Sequence, residues 1–157
     1  MTSAQQLLRR IRLLTALFII GLVLSGATAI PLETELDWLV GVTGARPLVE
    51  TAASASAPAP VWATWLVKVQ SALHETLTRH PFLAYGTDWL AFGHFVIAMA
   101  FVGALRDPVR NRWLFDFGLI ACAAVVPYAL SFGAARGIPF WWRLVDCSFG
   151  VFGAVPL

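Results

Sequence analysis

Four long apolar stretches constrain this chain more than any other feature of its sequence. They cover about residues 12–30, 88–105, 113–132 and 140–156. A helix of roughly 20 mostly apolar residues crosses about 30 Å of hydrocarbon, so each stretch approaches or reaches the length of a membrane span. We therefore predict an all-α integral membrane protein, with four transmembrane helices in a single membrane domain over residues 1–157.

The composition agrees with a membrane chain. Apolar residues make up 59% of the sequence, above the usual half or so of a soluble domain, and the mean hydropathy is +0.74. The net charge of +2 is small and no soluble face gathers the basic residues, which argues against a nucleic-acid partner. We expect a multi-pass protein of the cell inner membrane, with the lipid bilayer and other membrane subunits as its partners.

Arginines indicate the orientation of the predicted spans. Three of them precede the first span and three lie between the second and third: Arg9, Arg10, Arg12, Arg106, Arg110 and Arg112. Short loops rich in arginine stay on the cytoplasmic side. Four spans then place both termini inside and leave residues 31–87 as an external segment.

The first span has a second interpretation. A basic start, an apolar core and a small-residue end, as in "RRIRLLTALFIIGLVLSGATA", are also typical of a cleavable signal peptide. We expect the helix to be retained as a span. Its cleavage would leave an odd number of crossings.

The external segment contains an amphipathic helix at about residues 60–80. Its apolar positions recur at steps of three and four: Trp62, Trp65, Leu66, Val69 and Leu73. Such a helix lies at the outer membrane surface or docks on a partner subunit, and a packing role within this protein's own bundle is an equal alternative. Before it, "PLETELDWLVG" predicts a short helix, and "TGARPLVETAASASAPAP" predicts a flexible linker.

Polar residues inside the apolar stretches give the candidate site. Arg143 and Asp146 fall on one helix face together with Gly150 and Gly153, and the glycines allow a neighbouring backbone to approach closely. His94 lies at a depth similar to that of Asp146, about 9 Å below the outer interface. We therefore predict an outer cluster of Arg143, Asp146 and His94, with Asp88, Tyr128, Ser131 and Ser148 as further members.

Several roles for this cluster remain open. Ionisable residues in a membrane are costly and point to function, yet an arginine can snorkel and an aspartate can neutralise it. Arg143 could clamp a lipid or polyisoprenoid phosphate, with His94 and Asp146 as catalytic acid and base. A quinone- or haem-associated subunit is a further alternative, although His74 and His80, the only other histidines, lie in the external segment.

The sequence also lacks the motifs of most soluble enzymes. It contains no Gly-rich phosphate loop, no CxxC, no HExxH and no GxSxG. Cys122 and Cys147 lie inside predicted spans and resemble packing residues more than a disulfide pair. We expect no cofactor and no metal site.

Parts of the sequence resemble two families of bacterial membrane proteins, one of them uncharacterised. Asp88, His94, Arg143, Asp146, Gly150 and Gly153 resemble the layout of the VanZ-like family of bacterial membrane proteins, which is linked to teicoplanin resistance. That family places its Asp and His four residues apart, whereas these lie six apart. "DWLAFGHFVIAMAFVGALRDPVRN" and "WWRLVDCSFGVFG" also resemble a family of small bacterial integral membrane proteins. The resemblance implies an envelope context and no particular reaction.

These observations predict a non-enzymatic accessory or lipid- and partner-binding protein. It would act through the external amphipathic helix and the outer cluster of His94, Arg143 and Asp146. The alternative is a small membrane enzyme that acts on a lipid phosphate.

Overall fold

A computed structural model describes residues 3–157 and is helical throughout that range. The described residues form seven α-helices and one 3-10 turn, and contain no β-strand. The α-helices are α1 Ser3–Ala29, α2 Leu32–Thr43, α3 Ala45–Ser54, α4 Val61–Arg79, α5 Tyr85–Arg106, α6 Arg112–Ala135 and α7 Phe140–Ala154, and the 3-10 turn is Pro81–Ala84. The predicted all-α class is confirmed.

Three segments are long and apolar enough to cross a membrane. They are Ser3–Ala29, Pro81–Arg106 and Arg112–Ala135, with mean hydropathies of 2.0, 1.6 and 1.8. The second and third predicted spans fall within these segments, and the first, at about residues 12–30, ends one residue beyond Ser3–Ala29. The fourth becomes α7, which has 15 residues and is shorter than the usual spanning helix.

The chain divides into two compact units, and the boundary falls within α1 and within α5. The first unit combines α1 up to Val23 with Phe95–Leu157. The second unit is Leu24–His94.

The core of the first unit is small and aromatic. Phe101, Ala104 and Leu114 are buried together, and Phe18 packs on Phe101 with ring centroids 4.7 Å apart. Thr15 is also fully buried, but its hydroxyl donates to the Ile11 carbonyl at 2.8 Å, so the polar group is satisfied. Large apolar side chains cover the outside of these helices, as expected where lipid is the solvent.

A compact turn joins α5 to α6 at the predicted cytoplasmic loop. The side-chain amide of Asn111 donates to the carbonyls of Gly103 and Asp107, each at 3.0 Å. The Asp107 carboxylate accepts from the backbone N–H of Arg110 at 3.0 Å. The Gly103 and Asp107 carbonyls also accept the backbone N–H groups of Asp107 and Asn111, at 3.0 and 3.1 Å, so the Asn111 side chain reinforces the backbone bonds of the turn.

In the second unit, helices α2, α3 and α4 pack on one another. The amphipathic helix predicted at about residues 60–80 is α4, Val61–Arg79. The prediction of a flexible linker before α4 is wrong in part, because Ala45–Ser54 forms α3. Pro47 lies in the first turn, where its missing N–H costs nothing, and Ala45 is fully buried, so packing favours the helix over the linker.

Candidate functional site

The turn between α6 and α7 fixes the geometry of the candidate site. Gly137 has a positive φ of 71°, which only glycine adopts without strain, and its N–H donates to the Ala134 carbonyl at 3.1 Å. The N–H of Ile138 donates to the Gly133 carbonyl at 2.9 Å. This pair of bonds is the Schellman arrangement that ends a helix, and Pro139 then precedes the first residue of α7. The two helices consequently form an antiparallel hairpin.

Glycines on α7 allow the two helices to lie close together. A Cβ on Gly150 would clash with the backbone carbonyl oxygen of Cys122 on α6, and a Cβ on Gly153 would lie 3.0 Å from the Cys122 Sγ. The predicted close approach of a neighbouring backbone is confirmed at Gly150, whereas the neighbouring atom at Gly153 belongs to a side chain. On the same hairpin, the Cys147 Sγ lies 3.9 Å from the Val126 carbonyl oxygen.

Arg143 lies against α6 close to the turn that joins the two helices of this hairpin. Its Nη1 donates to the Leu130 carbonyl at 3.1 Å, and its aliphatic carbons cover Gly133 so closely that a Cβ there would lie 2.6 Å from the Arg143 Cδ. The guanidinium carbon lies 5.3 Å from the centre of the Phe140 ring, within cation–π range. The prediction that Arg143 faces the neighbouring helix is therefore confirmed.

The charge of Arg143 has no carboxylate partner within residues 3–157. The ion pairs in that range join His74 to Glu33 and Arg79 to Glu75, and neither involves α6 or α7. Asp146 is half-buried one turn along α7 and makes no ion pair with any described residue. The Nε of Arg143 and the Nε1 of Trp141 are buried without an acceptor in the part of the chain described. The hairpin thus holds a cation with unused hydrogen-bond donors.

Other predicted members of the cluster make local contacts. Ser148 donates to the Val145 carbonyl on its own helix at 2.6 Å. Tyr128 and Ser131 are exposed on α6, and the Tyr128 ring packs on Phe132 with centroids 4.5 Å apart.

Asp88 and His94 belong to the second unit, in the first half of α5. The His94 Nδ1 lies 2.8 Å from the Leu90 carbonyl oxygen, so one ring nitrogen bonds within its own helix. Asp88 is exposed in the first turn. Their grouping with Arg143 and Asp146 stays a prediction.

The apolar stripe of α4 is partly used within its own unit. Leu66 is buried, and Trp65, Val69 and Leu73 are half-buried where α2 and α3 pack on α4. Leu73 also lines a cleft of about 270 Å³ between α4, the 3-10 turn and the start of α2. Trp62 remains 38% exposed, so only the first turn of the stripe stays free.

The sequence patterns did not predict a ladder of polar contacts that joins α2, α3 and α4. The Gln70 side chain accepts from Arg46 Nη2 and donates to Asp37 Oδ1, both at 2.6 Å. One turn along, His74 Nδ1 lies 2.6 Å from Glu33 Oε1. The sequence feature that could have predicted these contacts is a shared spacing of four residues, from Glu33 to Asp37 on α2 and from Gln70 to His74 on α4.

Comparison of the chain with known protein families, with curated proteins and with solved structures found no match. Within residues 3–157, no group of three or more His, Cys, Asp or Glu side chains is placed to hold a metal ion. The fold therefore defines only the class of protein, which is an all-helical protein with three segments long and apolar enough to span a membrane.

Proposed function

We propose that this protein is a four-span inner-membrane protein that binds the phosphate of an anionic lipid beside Arg143 and acts as a non-enzymatic accessory or binding subunit. The observation that carries the proposal is the charge of Arg143, which sits in an apolar hairpin without a carboxylate partner among the described residues.

The packing of α7 supports a fourth crossing. Its 15 residues extend about 22 Å at roughly 1.5 Å per residue, somewhat less than the hydrocarbon thickness. However, Leu157, just beyond α7, packs beside Gly118 near the start of α6. Arg143, near the start of α7, contacts Leu130 near the end of α6. If α6 spans the bilayer, α7 returns across most of it. Both termini then lie on the cytoplasmic side and Arg143 lies towards the outside.

The surroundings of Arg143 favour a phosphate over other ligands. An arginine in the hydrocarbon costs roughly 2.5–3.5 kcal/mol on insertion scales, so a bound counter-charge at this depth is stabilising. The guanidinium fork matches two phosphate oxygens, and the Leu130 carbonyl occupies only one of its donors in the described contacts. Trp141 and Trp142 occupy the first turn of α7, where aromatic residues mark the interface of lipid headgroups. A lipid phosphate would lie at the same level.

The second unit supports a role at the membrane surface or against a partner. Trp38, Phe82 and Trp89 are each more than half exposed. Exposed aromatic side chains of this kind are typical of the bilayer interface and of subunit contacts. Together with Trp62 on α4, they are the surface through which we propose that the accessory role is exerted.

The test is native mass spectrometry of the purified protein with dioleoyl phosphatidylglycerol and, separately, with dioleoyl phosphatidylcholine. We expect Arg143→Gln to lower phosphatidylglycerol affinity about tenfold, corresponding to the loss of one charge-assisted hydrogen-bonded pair, about 1.4 kcal/mol. Arg143→Lys should retain part of the affinity, because the charge remains while the planar fork is lost.

Arg136→Gln is the matched control for this experiment. It removes one positive charge from the same α6–α7 turn, where Arg136 is exposed. Unchanged lipid affinity in Arg143→Gln, accompanied by lower thermal stability, would mean that the arginine only holds the hairpin together through Leu130.

A second candidate function is an enzyme that acts on a lipid phosphate. It is favoured by Asp146, a half-buried carboxylate one turn from Arg143 without an ion-pair partner in the described chain. Hydrolysis of a lipid phosphate that is lost in Asp146→Asn, while lipid binding and thermal stability are retained, would move the enzyme to first place.

A further inference from the structure

An open groove lies at the opposite end of the first unit, between α1 and the last turn of α5. It has a volume of about 430 Å³ and is lined by Gln5, Leu8, Arg9, Arg12, Leu13, Ala16 and Leu105. Six of these residues recur along α1 at steps of three and one, so they form a single stripe on one face of that helix. Arg10 lies between two of them in sequence and outside the groove.

The groove combines a cationic mouth with an apolar floor. Arg9 and Arg12 supply the charge, and no acidic residue lines the groove. The Arg12 Nη2 donates to the Arg106 carbonyl at 3.2 Å, which draws that guanidinium towards the end of α5. The Arg9 side chain makes no hydrogen bond or ion pair with another described residue, so the donors of its guanidinium are available to a ligand.

The apolar floor continues onto the outer surface of α1. Leu13 lines the groove, and Leu17, one turn further along, is 60% exposed. A soluble anion would use only the two arginines, and a protein partner would need a larger surface than one groove. A molecule with an anionic head and a long apolar chain matches both the two arginines of the groove and the exposed apolar surface of α1 beyond it.

We propose that this groove is a binding site for an anionic phospholipid of the cytoplasmic leaflet. Arg9 and Arg12 bind the phosphate, and one acyl chain follows Leu13 and Ala16 along α1. Basic pockets at the cytoplasmic ends of membrane helices suit such head groups, because the charge and the hydrocarbon boundary meet there. This site is separate from the one at Arg143 and goes beyond the proposed function.

The test is native mass spectrometry of the 157-residue protein. The protein, in a neutral detergent, is titrated with dioleoyl phosphatidylglycerol, and dioleoyl phosphatidylcholine is the uncharged comparison. Arg9→Gln should weaken phosphatidylglycerol binding about fivefold, the factor expected for one arginine near the membrane surface. Ala16→Leu should also weaken it, by filling the groove without any change of charge.

Arg10→Gln is the matched control, because it removes the same charge one residue away and outside the groove. Its phosphatidylglycerol affinity should stay within about twofold of the original. Equal weakening by Arg9→Gln and Arg10→Gln would overturn the proposal in favour of a diffuse surface charge. Displacement of the lipid by millimolar inorganic phosphate, equal binding of phosphatidylcholine, or an intact mass that lacks the first helix would also overturn it.

Discussion

Single residues decide how closely α6 and α7 can approach each other. Gly150 faces the carbonyl oxygen of Cys122, and no larger residue fits between them without a shift of one backbone. The same closeness brings Arg143 within hydrogen-bond distance of Leu130. The close packing at Gly150 therefore helps to position Arg143, the residue that we propose binds a lipid phosphate.

Gly150→Ala should destabilise the protein. The added methyl group would force the two helices apart, and such overpacking costs about 1–3 kcal/mol. At this chain length the melting temperature should fall by roughly 5 °C, measured from tryptophan fluorescence in detergent.

Gly21→Ala on α1 is the matched control, because nothing lies within 4 Å of the position that its Cβ would take. It should leave the melting temperature unchanged or raise it slightly, through the better helix propensity of alanine. Equal melting temperatures for the two variants would contradict the close packing at Gly150.

The residues that face α6 were predictable from the sequence, and the atoms they contact were not. Spacing alone placed Arg143, Asp146, Gly150 and Gly153 on one helix face, because the helical period is fixed. The acceptor at Leu130 depends on the register of two helices, which is set by the turn at Gly137 and by side-chain packing. No local pattern in the sequence contains that register.

At the scale of elements, the length of the apolar stretches predicted the long helices well. Amino-acid composition was a poorer guide to the structure of residues 31–87. A run of apolar residues in lipid must satisfy its backbone internally, which leaves few alternatives to a helix. The stretch before α4 has no such constraint, and its alanines, serines and prolines suggested a linker where the structure has α3. The helix is held by contacts with α4 that are distant in sequence.

Gln70→Ala should loosen α3 without unfolding the protein. The substitution removes the bonds to Arg46 and Asp37, and net hydrogen-bond contributions are about 0.5–1.5 kcal/mol each before solvent exposure reduces them. Amide hydrogen exchange across Ala45–Ser54 should therefore accelerate by about fivefold, as measured by mass spectrometry.

Ser71→Ala is the control for this variant. Ser71 is exposed on the same helix, and its hydroxyl makes no hydrogen bond with another described residue. Exchange in α3 should then match that of the original protein. If Gln70→Ala behaved in the same way, the polar ladder would not be what holds α3 in place.

At the scale of the whole molecule, the sides of the membrane assigned to the two proposed lipid sites depend on the proposed direction of each crossing. Four crossings place the arginines of the α5–α6 turn and the end of α7 inside, and Arg143 towards the outside. Three crossings would leave the end of α7 on the outer side. The charge pattern and the hairpin packing favour four, and apolar length alone supports three.

The most direct test is labelling of single cysteines in intact cells with a membrane-impermeant maleimide. With Cys122 and Cys147 replaced by alanine, cysteine is introduced at exposed Val109, Arg136 or Val155. Four crossings predict that Arg136→Cys is labelled in intact cells, and that Val109→Cys and Val155→Cys are labelled only after permeabilisation. Labelling of Val155→Cys in intact cells would contradict the fourth crossing. Labelling of Val109→Cys in intact cells would contradict the placement of the two proposed lipid sites on opposite sides of the membrane.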